Sequence, residues 1–197
     1  PNVPYPSTVF RTAISKIQRG GSIKVIIPSH VAYGRAGNSL VSPNEPLVVD
    51  LYVYHEKSQA DLDDLRIKQF LTANNITAVK DPSGAYYQVI QEGTTGLAAQ
   101  LYTVIKTKYK AKLLDGYVFD QTIGDTPYEV ELASTRYYGL RKILVNRKAG
   151  TKLRVFMPSI GALGSFDSSD VPKNSVIDIE LELQEVVDDT IVPAPTT

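Results

Sequence analysis

The sequence predicts an α+β fold built twice, with a helix joining the two copies, and three observations carry that expectation. From Leu101 to Leu113 apolar and small residues alternate with Tyr102, Val104 and then Lys106, Lys108, Lys110 and Lys112. A period of two held that long is one half-buried strand with a lysine face in water. Asp115-Gly116 then supplies hairpin-turn chemistry, and Phe119-Asp120 follows on the returning strand. Finally, FRTAISKIQRGGSIKVIIPSHVAYGRAG followed by VSPNEPLVVDLYV recurs as LRKILVNRKAGTKLRVFMPSIGALGSF followed by VPKNSVIDIELEL, offset by about 130 residues (Pro28 against Pro158). That offset is too long for a solenoid and marks a domain duplication.

The elements follow in order. Thr8 to Ile17 has helical apolar spacing, with Val9, Phe10, Ala13, Ile14 and Ile17 on one side, and Arg19-Gly20-Gly21 stops it. Ser22 to Ile27 is a short β-branched strand closed by Pro28. A turn-rich loop runs to Pro46, and Leu47 to Tyr54 is the next strand. Ser58 to Asn75 is helical with acids at its start. Ala60, Ile67, Phe70 and Leu71 fall on one side and Leu62 and Leu65 on the other, so it is expected as a linker packed between two domains. Asp81-Pro82-Ser83-Gly84 turns into the strand AYYQVIQE.

After the long strand come a turn at Gly124 to Pro127 and a short strand from Tyr128 to Leu132. A helix is expected from Tyr138 to Lys148, stopped by Ala149-Gly150, then a strand from Lys152 to Met157. A loop leads to a last strand in which Ile177, Ile179, Leu181 and Leu183 alternate with Asp178, Glu180, Glu182 and Gln184. The tail from Val187 to Thr197 has the composition of a disordered segment.

Composition removes several functions. Basic and acidic residues number 21 each, so there is no concentrated positive charge for nucleic acid. There is no cysteine, and the two histidines, His30 and His55, lack ligand-spaced partners; neither a metal site nor a cofactor is expected. No apolar run approaches the roughly 18 residues of a membrane span. Tyr109 and Phe119 suit core packing as well as a pocket wall, and Asp120 suits a turn cap or ion pair as well as a ligand contact.

The run Ile26-Ile27-Pro28-Ser29 through Ala32-Tyr33-Gly34, with Pro43 and the closing strand, resembles the C-terminal half of an FKBP-type peptidyl-prolyl isomerase. The second half resembles a complete one: Ser83-Gly84-Ala85-Tyr86-Tyr87 as first strand, Tyr109 on the second, Asp115-Gly116 and Phe119-Asp120 as turn and pocket signature. The helix with Asn74-Asn75-Ile76-Thr77 ahead of it is similar to the lead-in of bacterial envelope members.

The resemblance implies two copies of an antiparallel sheet wrapped around one short helix, with strands in spatial order 1, 4, 5, 2, 3. Residues 1–56 would be the C-terminal half of a first domain, 57–80 the linker helix, 81–186 a complete domain and 187–197 the tail. The first copy lacks three strands, so a longer natural chain, another segment or another chain is expected to complete it. Strand order also sets Asp178, Glu180 and Glu182 against the lysines of Lys106 to Lys112.

For function the resemblance implies a peptidyl-prolyl isomerase that assists folding of proline-containing polypeptides in the bacterial envelope or periplasm, with a lipid anchor carried outside these residues. The other reading is a tandem binding or chaperone module with little turnover. It gives catalytic roles to Tyr109, Phe119, Asp120 and the backbone amide at Tyr137. Tyr128, Leu140, Leu163, Val171 and Ile179 would line the substrate site, and Phe10, Tyr33, Val41 and Val49 its counterpart in the first copy. Two positions depart from the family pattern: the floor is Leu140 rather than tryptophan, and Leu163 stands where a tyrosine is expected.

Overall fold

Seven hydrogen-bonded strands carry the larger part of this chain, in a computed structural model that describes residues 7–165 and 170–187. The expected tail, apart from Val187, lies outside the described residues. The chain divides into two units, Pro1–Lys57 and Ser58–Thr197.

The first unit holds helix α1 (Ser7–Ile14) and two antiparallel strands, β1 (Ser22–Ile27) and β2 (Leu47–Tyr52), paired from Ser22↔Tyr52 to Ile27↔Leu47. Ala13 and Ile27 are buried, whereas the cross-strand pair Ile26 and Val48 stands in solvent, 70% and 61% exposed. Among the described residues β2 pairs only with β1, which leaves its second edge open.

The second unit begins with α2 (Gln59–Ala73), entered through Ser58, whose hydroxyl accepts the Asp61 amide at 3.1 Å. The strands follow as β3 (Val79–Lys80), β4 (Tyr86–Gln91), β5 (Thr95–Ala98), β6 (Val104–Leu113), β7 (Val118–Gln121) and β8 (Tyr128–Glu131). Helix α3 (Tyr138–Leu144) precedes β9 (Lys148–Ala149), β10 (Lys152–Met157) and β11 (Ile177–Val187). The main sheet runs β3-β4-β10-β11-β6-β7, with β8 also on β6. This is the spatial order expected of the FKBP fold, its third strand split into β7 and β8.

One face of the sheet curls around α3. Ile143 and Leu144 pack there against Leu153, Val155, Ile177 and Ile179, all buried. The opposite face is covered by α2: Ile67 and Leu71 pack on Tyr86, Phe156 and Val176. Complete burial of Ile67 and of Phe156 contributes roughly 1.5 to 3 kcal/mol each. The helix expected as a linker is therefore part of the second unit. Its buried face is Leu62, Asp63, Ile67 and Leu71, while Ala60 is exposed. The stripe at i, i+4 and i+8 outweighs the residues that suggested a second apolar side.

Three other expectations are corrected. β6 starts at Val104 rather than Leu101, because Thr103 closes a turn by donating its amide and hydroxyl to the Gln100 carbonyl. α3 ends at Leu144, since Asn146 turns the chain with φ 66° and Lys148 joins a two-stranded ribbon with β5. The acid and lysine faces of β11 and β6 do meet, through Lys112 to Glu180 at 2.6 Å and Lys106 to Glu185 at 2.8 Å. Lys108 instead pairs with Asp125 and Glu182 with Lys152, because each has a closer carboxylate or ammonium on its other side.

The two units repeat each other in backbone detail. Gly20 and Gly150 have φ 80° and 90°, Gly34 and Gly164 both 59°, Asn44 and Asn174 61° and 57°. Such left-handed corners favour glycine and asparagine, and here they recur at one spacing.

Candidate active site

Inward-facing residues of β6 set up a cavity in the second unit. Ile105, Thr107, Tyr109 and Ala111 alternate toward α3, and Ala111 lies opposite Asp120 in the register with β7. A residue as small as alanine there leaves room for the Tyr109 ring and the Asp120 carboxylate to face each other. The Tyr109 hydroxyl donates to Asp120 Oδ2 at 2.9 Å, and Arg136 Nη1 donates to the same oxygen at 3.4 Å. The Tyr128 ring on β8 meets the Tyr109 ring edge-on, centroids 5.7 Å apart.

Below these groups lie apolar side chains. Leu140 and Leu144, one turn apart on α3, form the floor, and Ile105, Val130, Ile179 and Leu181 close the sides. The cavity is narrow, with a free volume of about 40 Å³. Tyr137 stands at the N-cap of α3, where amides lack intrahelical acceptors. Its hydroxyl is buried with no hydrogen-bond partner among the described residues.

The electrostatics keep both phenols protonated. Burial first, then the hydrogen bond and charge of Asp120, push Tyr109 well above the usual tyrosine range. Burial first, then the Asp120 charge, push Tyr137 up to about 12. Asp120 is engaged by a phenol and a guanidinium, and among the lining residues no serine, cysteine or lysine nucleophile stands beside a base. Among the described residues no cluster of histidines and carboxylates could hold a metal ion. The arrangement can therefore hold, orient and desolvate an apolar group beneath a polar lip.

Of the residues anticipated from sequence, Tyr109, Asp120, Tyr128, Tyr137, Leu140 and Ile179 are brought together on this cavity. Phe119 is half-buried against the core, Leu163 is half-buried in the loop after β10, and Val171 is buried; none of the three lines the cavity. Phe10, Tyr33, Val41 and Val49 are half-buried members of the first unit. Sequence reasoning missed Ile105, Thr107, Val130, Thr135, Arg136, Leu144 and Leu181 among the lining residues. Leu144 could have been found as the i+4 partner of Leu140; Arg136 carries no signal beyond a charge opposite to that of Asp120.

A sheet in this strand order around one helix, with an aromatic and apolar cavity at its concave face, defines a domain of the FKBP type. Residues 96–184 match the family model described as FKBP-type peptidyl-prolyl cis-trans isomerase, and this segment is a domain of that family. Among solved structures, the chain is similar to FkpA from Escherichia coli, at 25% identity and TM-score 0.56 over 64% of this chain and 60% of that one. It is similar also to a peptidyl-prolyl cis-trans isomerase from Pseudomonas syringae, at 22% identity and TM-score 0.55 over 68% of this chain and 99% of that one. The three FKBP domains of wheat FKBP73 align at 24% identity and TM-score 0.52 over 92% of this chain and 73% of that one. The match thus spans less than two thirds of the FkpA chain. No curated protein matches this chain in sequence.

Proposed function

We propose that the second unit is a peptidyl-prolyl cis-trans isomerase acting on proline-containing polypeptides, and that it assists protein folding in the bacterial envelope. One observation carries the reading: Tyr109, Asp120 and Arg136 form a hydrogen-bonded lip over a floor made by Leu140 and Leu144. Rotation about a peptide bond faces a barrier of about 18 to 20 kcal/mol, and unaided X-Pro bonds isomerise in tens to hundreds of seconds. The twisted amide has lost resonance and much of its dipole, so a dry apolar cavity favours it over the planar form. Each 1.36 kcal/mol of that preference is worth tenfold in rate. In this reading the lip aligns the peptide, the Tyr137 amide holds a peptide carbonyl, and Tyr128 and Ile179 flank the prolyl ring.

A second reading, a binding or chaperone module with little turnover, is favoured by Leu140 at the floor and Leu163 in the loop. Leu163 cannot donate the hydrogen bond that a tyrosine would. A protease-coupled isomerisation assay on a prolyl peptide decides between the two. Turnover that is lost in Asp120→Ala supports the isomerase, and a wild-type rate equal to the blank supports the module. The first unit, in which β2 pairs only with β1 among the described residues, is read as the counterpart of the C-terminal half of an FKBP domain.

A further inference from the structure

Helix α2 lies outside the segment matched by the family model, yet it carries a completely buried carboxylate aimed at the loop that follows β10. Asp63 Oδ2 accepts both the Ser159 amide at 2.8 Å and the Ser159 hydroxyl at 2.6 Å, and Oδ1 accepts from Gln59 Nε2 at 2.7 Å. A buried carboxylate is costly unless it is fully hydrogen-bonded, and removing its partners leaves that cost exposed. Ser159 is itself the node of the loop: its carbonyl accepts the amides of Ala162 at 3.0 Å and Gly164 at 2.7 Å.

From Ser159 the contacts lead to the cavity. A Cβ on Gly161 would stand 3.2 Å from Met157 Cγ and 4.0 Å from the Gly139 backbone nitrogen, so the turn Ser159–Gly161 seats directly on the first turn of α3. A Cβ on Gly139 would stand 3.2 Å from Met157 Cε, which closes the same contact from the other side. That first turn of α3 presents Tyr137 and Leu140 to the cavity.

The first unit supplies an internal control. There Ser29 holds the same turn, accepting from Ala32 at 3.0 Å and Gly34 at 2.7 Å, and Asn44 donates to Gly34 at 2.8 Å as Asn174 does to Gly164 at 2.9 Å. Among the described residues no carboxylate bonds Ser29. The loop backbone therefore forms without such a clamp, and the Asp63–Ser159 bonds add something the loop fold does not require.

We propose that Asp63 is a positioning residue for the cavity: through Ser159 it fixes where the turn presses on α3, and so where Tyr137 and Leu140 stand. Its bearing on turnover rests on the isomerase reading; its bearing on geometry does not.

The test uses the full chain, with the Leu140 methyls carbon-13 labelled and Tyr137 followed as fluorotyrosine, alongside thermal unfolding and isomerisation kinetics. Asp63→Ala is expected to move or broaden both resonances in the free protein and to lower kcat roughly tenfold, the scale of a small misplacement of groups around a reacting bond, with KM nearly unchanged. Asp63→Asn, which keeps an acceptor oxygen for Ser159, is expected to restore most of both. Unchanged resonances and kcat in Asp63→Ala with a lowered melting temperature would make Asp63 merely structural and overturn the proposal. If Asp63→Ala does not fold, Ser159→Ala decides, because it removes only the hydroxyl bond: a smaller shift of the same two resonances supports the coupling and none overturns it. A wild-type chain without turnover would defeat the isomerase reading alone, since the resonances still judge the coupling.

Discussion

Tyr109 and Asp120 meet across the β6–β7 hairpin, the phenol donating to Oδ2 at 2.9 Å while Arg136 reaches the same oxygen at 3.4 Å. The carboxylate is thus oriented by a strand on one side and by the approach to α3 on the other. Removing the phenol hydroxyl leaves the ring and its edge contact with Tyr128 in place. Tyr109→Phe should therefore weaken binding of a prolyl ligand by about 1 kcal/mol, roughly fivefold, with little loss of stability. Titration calorimetry alongside thermal unfolding measures both.

Leu163 occupies the position that Tyr33 holds in the first unit, beside a glycine of identical φ. Leu163→Tyr is expected to raise affinity for a prolyl ligand or the isomerisation rate by roughly fivefold, the worth of one added hydrogen bond. An unchanged ligand titration and rate would show that this position does not limit the site.

Asp64 on α2 accepts from Lys68, Lys80 and Tyr86. Burial raises its pKa, but the three hydrogen bonds outweigh that and hold it at about 2. The folded value lies below the ordinary one near 3.9, so the stabilisation is present above about pH 4 and is lost as pH falls toward 2. Melting temperature should fall more steeply over that window in the wild type than in Asp64→Asn, whose profile lacks this component. Calorimetric scans at a series of acid pH values provide the comparison.

Asp178 is 2% exposed and takes a two-pronged bond from Arg154, at 3.0 and 2.8 Å. Asp178→Ala leaves a half-buried guanidinium without its partner and should cost about 3 kcal/mol. The double variant Arg154→Met/Asp178→Leu should recover most of that loss, because it removes both desolvation costs. Urea unfolding of the three proteins tests the pair.

How much of this was legible in the sequence depends on the kind of interaction involved. Period-two alternation from Ile105 to Leu113 and from Ile177 to Leu183 gave both strands and their buried faces, since burial on one face of a sheet fixes parity. The repeat placed Pro158, Gly164 and Asn174 by their counterparts. The docking of α2 was not legible: Ile67, Phe70 and Leu71 say that one face is buried and not against what, and nothing in the sequence marked Asp63 as buried. Side-chain partners across strands also escaped, because Lys108 had Asp125 in reach as well as Glu182. At the cavity, Tyr109 and Asp120 were singled out by the family resemblance, since their residue types alone suited core packing or an ion pair equally, and Phe119, one residue away, lies half-buried in the core.

The left-handed corners at Gly20, Gly34 and Asn44 and their partners at Gly150, Gly164 and Asn174 act as matched hinge pins. Between such pins the side chains can change without bending the path, as Tyr33 against Leu163 and Ile26 against Phe156 illustrate. The two copies have thus become a pair of castings from one mould, one finished with a hydroxyl ring in its loop and the other with an aliphatic plug. Exchanging Leu163 for tyrosine, as at Tyr33, would change the loop's chemistry while leaving the mould intact, whereas a valine at Gly161, as at Val31, would press on Met157 and shift it.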